Sequence, residues 1–377
     1  MKKKPVVLLI IFSFLIISCN SSKNDNLEIR LVSNQSENLQ LKKSIHIVKL
    51  ETSEDCQLSS IDKVCIDQPR NRIFILSNFN LYIFDCEGRF VTKTIKGKGP
   101  GEVIFIPSFA VNKDQQRIYA LNMNSIAIIN YDGIVEKSLP LNDFYSADIF
   151  SINNDSILLL NNGVGSRDKY FLGLYSIKQE KVVETYLTEN ESYYPYAIKI
   201  TCQNFFKQNN KTYFSPTNIF KLYEFTNSEI SQLASFNLGE REVPEYFANQ
   251  YREGKNRSRF SYYARKEGYV PYINYSFFFN NYLFVGIDDQ HKTCYAISQD
   301  GNNNVYANYL PLYLDLPNTR SFQFPKGIDE NTIIFSCNPM DFFEHDPVEK
   351  QKNTEIGNNV ISIHYTDNPI LVLVEEK

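Results

Sequence analysis

Val64-Cys65-Ile66-Asp67, Gln68-Pro69-Arg70-Asn71 and Arg72-Ile73-Phe74-Ile75-Leu76 form two apolar runs around a polar turn. The same arrangement returns forty-five residues later as Phe109-Ala110-Val111-Asn112, Lys113-Asp114-Gln115-Gln116 and Arg117-Ile118-Tyr119-Ala120-Leu121. The register holds without a gap from Val64–Gly88 to Phe109–Gly133. Leu81-Tyr82-Ile83-Phe84 falls on Ile126-Ala127-Ile128-Ile129, and Asp85-Cys86-Glu87-Gly88 falls on Asn130-Tyr131-Asp132-Gly133. Few residues are identical, but apolar runs and turns coincide throughout. A repeat of roughly 40–50 residues is the length of a propeller blade.

Each unit reads as four short strands. In the first these are Asp62–Asp67, Arg72–Leu76, Leu81–Asp85 and Phe90–Ile95, separated by turn residues. Ile73 and Ile75 point to one face and Phe74 and Leu76 to the other, so both faces must be buried, as happens when blades stack. Looser units follow over Ala147–Leu187, Phe205–Leu238 and Phe277–Leu310. A sixth begins near Phe322, continues at Thr332–Cys337 and ends at Ile370–Val374. Val243–Gly268 and Met340–Lys352 read as helical insertions. The sixth unit lacks a last strand, and Ser44–Leu50 is unclaimed. Pairing the two closes the ring and removes exposed edges. The expected fold is all-β: a six-bladed β-propeller of four-stranded antiparallel blades over 44–377, closed by an N-terminal strand. A β-sandwich explains less, since two open sheets need no forty-five-residue register.

Upstream of the repeats, Met1–Lys4 supplies three lysines and Val6–Ile17 is apolar but for Ser13. These are the charged and apolar regions of an export signal, and the apolar run is shorter than the roughly 20 residues of a membrane span. Ile16-Ile17-Ser18-Cys19 then resembles a lipobox. Residues 1–18 are read as a lipoprotein signal peptide, Cys19 as the acylated residue, and 19–43 as the lipidated cysteine and its tether. The protein is thus expected at the outer membrane, facing the periplasm or the exterior, with the membrane as partner through Cys19. Net charge is −4 with no basic stripe, which argues against nucleic acid as a partner. The 28 Phe and 25 Tyr, with no Trp, suit pleated half-buried surfaces. The other cysteines (Cys56, Cys65, Cys86, Cys202, Cys294 and Cys337) match no zinc spacing and include no C-x-x-C pair. An exported chain permits disulfides, but Cys65, Cys86, Cys294 and Cys337 lie in apolar runs and read as small buried hydrophobes.

Four stretches carry a resemblance: Val48-Lys49-Leu50-Glu51-Thr52, Phe84-Asp85-Cys86-Glu87-Gly88-Arg89-Phe90, Gly97-Lys98-Gly99-Pro100-Gly101-Glu102 and Asp367-Asn368-Pro369-Ile370-Leu371. With these the chain resembles the six-bladed β-propeller lipoproteins, related to NHL-type propellers, of gut-dwelling anaerobic bacteria. The Gly-x-Gly-Pro-Gly-Glu match is the most specific. Asn78–Asn80 departs from the acidic turn often found after the second strand, and the third blade is weak. The resemblance implies fold and export, and no reaction.

No catalytic constellation assembles in the sequence. Gly97–Gly101 invites a phosphate-loop reading, but Pro100 removes a backbone donor and neither nucleotide-binding glycine pattern fits, so a tight inter-blade turn is expected. His46, His291, His345 and His364 make no paired metal spacing, Glu344-His345-Asp346 reads as a solvated turn, and no G-x-S-x-G is present. Asp288-Asp289 could hold a cation, so calcium is the one cofactor left open; no metal residue is assigned. Meander topology sends the loops between second and third strands, and the crossovers between blades, to one face. That face should collect Asn78, Asn122, Asn161, Asn218, Glu102 and Asp288, which are the candidate ligand contacts. Amides suit a neutral polar ligand, a glycan or peptide backbone, although Asn also simply makes turns. A non-catalytic binding or scaffold module, for a polar ligand or a protein partner, is the expected function. The alternative is a metal-dependent propeller hydrolase, lactonase or lyase, which would need carboxylates converging on the axis.

Overall fold

The computed structural model describes residues 27–31, 39–142, 144–161, 170–188, 203–217, 219–251, 259–300, 304–317, 320–343 and 350–377. Six four-stranded antiparallel sheets follow one another around a ring, giving a six-bladed β-propeller. Strands are lettered a to d from the axis outward. Blade one is Lys63–Asp67, Arg72–Ser77, Asn80–Phe84 and Phe90–Lys93; blade two is Phe109–Asn112, Arg117–Asn122, Ser125–Asn130 and Val135–Pro140. Blade three is Asp148–Ser151, Ser156–Leu160, Tyr170–Ser176 and Lys181–Thr188; blade four is Phe205–Gln208, Lys211–Phe214, Lys221–Thr226 and Glu229–Asn237. Blade five is Ile273–Phe279, Tyr282–Ile287, Cys294–Ser298 and Val305–Asn308. Blade six takes a to c from Gly327–Asp329, Thr332–Cys337 and Ile370–Glu376, and d from Lys43–Lys49.

The core is divided among the blade interfaces because the inner strands are apolar on both faces. Phe74, Leu76 and Ile83 of blade one pack on Phe109, Ile118, Ala120 and Ile129 of blade two. Ile73, Ile75 and Phe84, on the other face, pack on Ile334, Leu371 and Leu373 of blade six. The pattern repeats between blades two and three and between three and four. Each such aliphatic or Phe side chain contributes about 1.5–3 kcal/mol on burial. Blade five departs from regular packing: the inner strands of its neighbours, Phe205–Gln208 and Gly327–Asp329, touch each other.

The ring closes where the sequence places the closure. Ile45 pairs with Val374 and Lys49 with Ile370, antiparallel. A clasp beside this pair carries three of the four stretches behind the resemblance. Asn368 is 2 % exposed. Its Nδ2 donates to the carbonyls of Glu51 (2.6 Å) and Cys56 (2.7 Å), and its Oδ1 accepts from Leu58 N at 2.7 Å. Glu51 N donates to Gly88 O at 2.7 Å, and the Glu51 carboxylate accepts from Phe90 N at 3.0 Å. Gly88 has φ +85°, and a Cβ there would lie 2.0 Å from Lys49 O, so only glycine lets the two chains meet.

Three expectations need correction. Leu27–Arg30, assigned to the tether, forms a fifth strand parallel to the outer strand of blade four, because Ile29 and Leu31 are buried there. Blade six starts at Gly327, and Phe322 lies in a 3-10 turn. Within the segment read as a second helical insertion, Pro339–Phe342 is a single 3-10 turn and Gln351–Ile356 pairs with Asn359–His364 as a hairpin. The first strand is polar and largely exposed up to Ile356, so only the short Ile361–Ile363 alternation of the second marks the hairpin. The Val243–Gly268 insertion does contain helices, Glu245–Asn249 and Phe260–Lys266, which bury Phe247, Ala248, Phe260 and Ala264 together.

Asn368→Ala should leave the Cys56 carbonyl and the Leu58 amide without partners, leave the Glu51 carbonyl only its contact with the Cys56 thiol, and lower stability by about 2–5 kcal/mol. Urea unfolding checks this: the midpoint should fall while the slope stays unchanged.

Candidate functional site

A cavity lies on the axis. It has a volume of about 580 Å³ and is walled by the inner strands of blades one, two, three, four and six. The a–b turns form its mouth: Pro69 and Arg70, Lys113 and Asp114, Ile152 and Asn153, and Glu330 and Asn331. It therefore opens on the face opposite the b–c loops and the crossovers.

At the other end of the inner strands a polar lattice crosses between blades. The forty-five-residue register superposes Lys63 on Ser108, each at the start of an inner strand, and the two side chains meet: Lys63 Nζ donates to Ser108 Oγ at 2.9 Å. Lys63 also donates to Asp148 Oδ1 at 2.8 Å, Ser108 donates to the same oxygen at 2.5 Å, and Asn204 Nδ2 reaches Asp148 Oδ2 at 3.1 Å. Blades one, two, three and four each contribute one of these residues. Asp148 is 2 % exposed, and these partners supply the pairing and hydrogen bonds that a buried carboxylate needs.

The mouth mixes both signs of charge. Asp67, fully buried, accepts from Arg70 Nη1 at 3.1 Å and from Tyr131 OH of blade two at 2.7 Å. Burial and Asp67 together push the Tyr131 phenol far above its ordinary value, so it is a fixed donor. Lys113 pairs with Asp329 of blade six across the opening. Asn112 donates to Asn153 O at 3.1 Å. Lys207 has no ion-pair partner among the described residues. Burial, with Asp329 next, pushes the lining thiol of Cys65 up to about 12, so it is protonated near neutral pH and a poor nucleophile.

The six residues expected on the b–c face are placed as follows. Asn78 is exposed at the tip of the blade-one b–c turn, with φ +48° and Phe79 at +59°, a type I′ pair. Asn122 Oδ1 accepts from Ile104 N at 2.9 Å, fixing the crossover into blade two. Asn161 is 1 % exposed. Asp288 is 6 % exposed and ion-paired to both Arg265 and Lys292. Asn218 lies outside the described residues, as do Cys19, Cys202 and the Glu344–Asp346 cluster. Glu102 and Asn122 line one small cavity of about 340 Å³. Type I′ pairs led by Asn also occur at Asn209-Asn210, Asn227-Ser228 and Asn280-Asn281, which are a–b and c–d turns on the other face. Turn chemistry accounts for Asn at these positions and at Asn78. The axial lattice escaped the sequence reading because each member is a single polar residue beside an apolar run; its signal is that all four stand at one register position.

The Gly97–Glu102 loop binds its own anion. Glu102 Oε2 accepts from Gly99 N at 2.7 Å, and a Cβ on Gly97 would lie 1.9 Å from that same oxygen. The turn expected from Pro100 is thus a carboxylate-filled loop, and Glu102 occupies the place a phosphate would need. Among the described residues no three His, Cys, Asp or Glu side chains are placed to hold a metal ion together, and the cysteines at 56, 65, 86, 294 and 337 are free thiols.

Gly97→Ala should cost about 1–3 kcal/mol through overpacking. Glu102→Ala in the same chain should recover part of that loss, because the clashing carboxylate is gone. A double-mutant cycle by thermal unfolding checks this, and simple additivity would place the carboxylate elsewhere.

No curated protein sequence matches this chain. Among solved structures, a Bacteroides fragilis protein whose name records an inferred export superposes with a TM-score of 0.68 at 17 % identity, covering 93 % of this chain and 99 % of that one. Hydrazine synthase of Kuenenia stuttgartiensis (TM-score 0.42, 9 % identity, 77 % of each chain) and the Pan2 WD40 domain of Neurospora crassa (0.39, 10 %, 84 % and 75 %) are more distant. The first of these likenesses agrees with the propeller architecture. A family profile described as a domain of unknown function, DUF4934, matches residues 24–375, and the chain belongs to that family.

Proposed function

We propose that the protein is an exported, lipid-anchored propeller that binds a polar ligand at the a–b mouth of its axial cavity and does not transform it. One observation carries the reading. The mouth places cations (Arg70, Lys113, Lys207), carboxylates (Asp114, Asp329, Glu330) and amides (Asn112, Asn153, Asn331) around one opening. Such a surface offers donors and acceptors together, which suits a polyhydroxylated or peptide-like ligand. Pairs that cross between blades hold the lining in place, which favours a pre-organised receptor. The metal-dependent alternative, a hydrolase, lactonase or lyase, has no comparable arrangement in its favour.

Anchoring rests on the N-terminus. The apolar run Val6–Ile17 and the Ile16-Ile17-Ser18-Cys19 sequence support acylation at Cys19, and two or three acyl chains hold far better than one because each buried CH₂ contributes about 0.8 kcal/mol. The outer membrane is the proposed location. Cys19→Ala should move the protein from the membrane to the soluble fraction. Retention of the variant on membranes, with no lipid on the wild type by mass spectrometry, would contradict the anchor.

The soluble Cys19→Ala protein is suited to glycan and peptide arrays. A ligand found there should protect the amides of Asn112–Asp114, Lys207–Gln208 and Asp329–Asn331 from hydrogen exchange, and Asn78→Ala with Asn122→Ala should leave its affinity unchanged. Protection confined to the b–c loops would move the site to the opposite face. Stoichiometric calcium or zinc in the purified protein would favour the enzyme reading.

A further inference from the structure

A second crevice, of about 340 Å³, lies between blades one and two on the same face as the cavity mouth. It is lined by Arg70, Arg72, Gln115, Gln116, Tyr131 and Asp132, together with Asn130. Arg70 lines both spaces. The two guanidinium groups differ in their bonding. Arg70 is held by the buried Asp67 carboxylate. Arg72 donates only from Nη1, to the Asn71 carbonyl at 3.0 Å, while its Nε is buried without a hydrogen-bond partner. Arg72 makes no ion pair among the described residues, and the nearby Asp85 carboxylate is occupied by Arg89 at 2.6 Å. A buried guanidinium donor left unpaired is destabilising in the empty protein.

The repeat provides an internal comparison. Arg117 stands forty-five residues after Arg72, at the first position of strand b in blade two, and its Nε donates to Glu136 at 3.1 Å. Glu136 sits at the irregularity in strand d of that blade. The position forty-five residues earlier is Val91, at the matching irregularity of blade one, and it is 39 % exposed. Blade one thus keeps the arginine and lacks the carboxylate that blade two supplies to it.

We propose that this crevice binds a carboxylate from outside, carried on a polar ligand, and that the carboxylate takes the place at Arg72 that Glu136 takes at Arg117. The planar guanidinium edge matches a carboxylate with two parallel hydrogen bonds. Gln115 and Gln116 offer further amide donors to the ligand, and Asp132 on the rim sets a limit on affinity by like-charge repulsion. This second site goes beyond the axial reading and does not depend on it.

The test titrates purified protein with D-glucuronate, and with D-glucose as the uncharged control, by ligand-observed NMR. Glucuronate should bind and glucose should not at the same concentration. Arg72→Gln should weaken glucuronate by roughly tenfold or more, the factor one charge-assisted hydrogen bond supplies. Val91→Glu should weaken it as much while raising the unfolding temperature, because it installs the internal partner found in blade two. Asp132→Asn should strengthen binding. Equal binding of the two sugars, no binding of glucuronate, or unchanged affinity in Arg72→Gln or Val91→Glu would overturn the proposal. Failure at this crevice leaves the axial mouth untouched, since the array ligand is mapped there by separate protection.

Discussion

The hydrogen bonds of the Asn368 side chain join the two ends of the folded chain, and the ring depends on that junction. A propeller blade has apolar faces on both sides and cannot bury them alone. Every blade therefore needs two neighbours, and the last blade finds its second neighbour only if the circle closes. Here closure uses Lys43–Lys49 as the outer strand of the final blade, with Asn368 bridging that blade to Glu51, Cys56 and Leu58 just beyond it. Gly88 and Glu51 complete the joint from blade one. Three separate stretches of sequence thus serve a single contact region.

A closed ring also determines where chemistry can occur. The inner strands start with Lys63, Asp148 and, one residue outside the strands, Ser108 and Asn204, and these side chains meet across blades at one end of the axis. Burying an ion pair of this kind gains little net stability, since desolvation offsets most of the attraction. Its effect is positional: it fixes the inner strands of four blades against one another. At the far end the a–b turns spread apart and leave an open, mixed-charge mouth. The ends differ because the side chains at the strand starts reach one another across the axis, while those around the a–b turns, among them Arg70 and Lys113, stand around an opening.

The fold was legible because blade packing imposes a repeated apolar pattern on strands b and c, as in Arg72–Ser77 and Arg117–Asn122. Shorter elements were harder to read. Gly327–Asp329 has three residues and Leu27–Arg30 four, too few to show a period. The hairpin at 351–364 buries only a short apolar face, Ile356, Ile361 and Ile363, and its first strand is otherwise polar, so little marks it in sequence. The candidate site was less legible still. Asn78, Asn122 and Asn161 stood out as a series, yet they differ in setting: Asn78 has positive φ in an exposed turn, Asn122 caps a crossover and Asn161 is buried. Lys63, Ser108, Asp148 and Asn204 differ in type, so no motif links them; only the three-dimensional register does. The contrast between Arg72 and Arg117 was present in the aligned repeats but acquires meaning only when Glu136 is seen beside one and Val91 at the matching place beside the other.

The central claim is that the ring is closed by its N-terminal strand and holds as one cooperative unit. Native-state hydrogen exchange tests it most directly. The account predicts that the hydrogen-bonded amides of Ser44–Val48 exchange only through global unfolding, with the same free energy of opening as the strand b amides of blade one. Much faster exchange of Ser44–Val48, with blade one still protected, would show that the strand is an adherent tail rather than the closure, and would contradict the account.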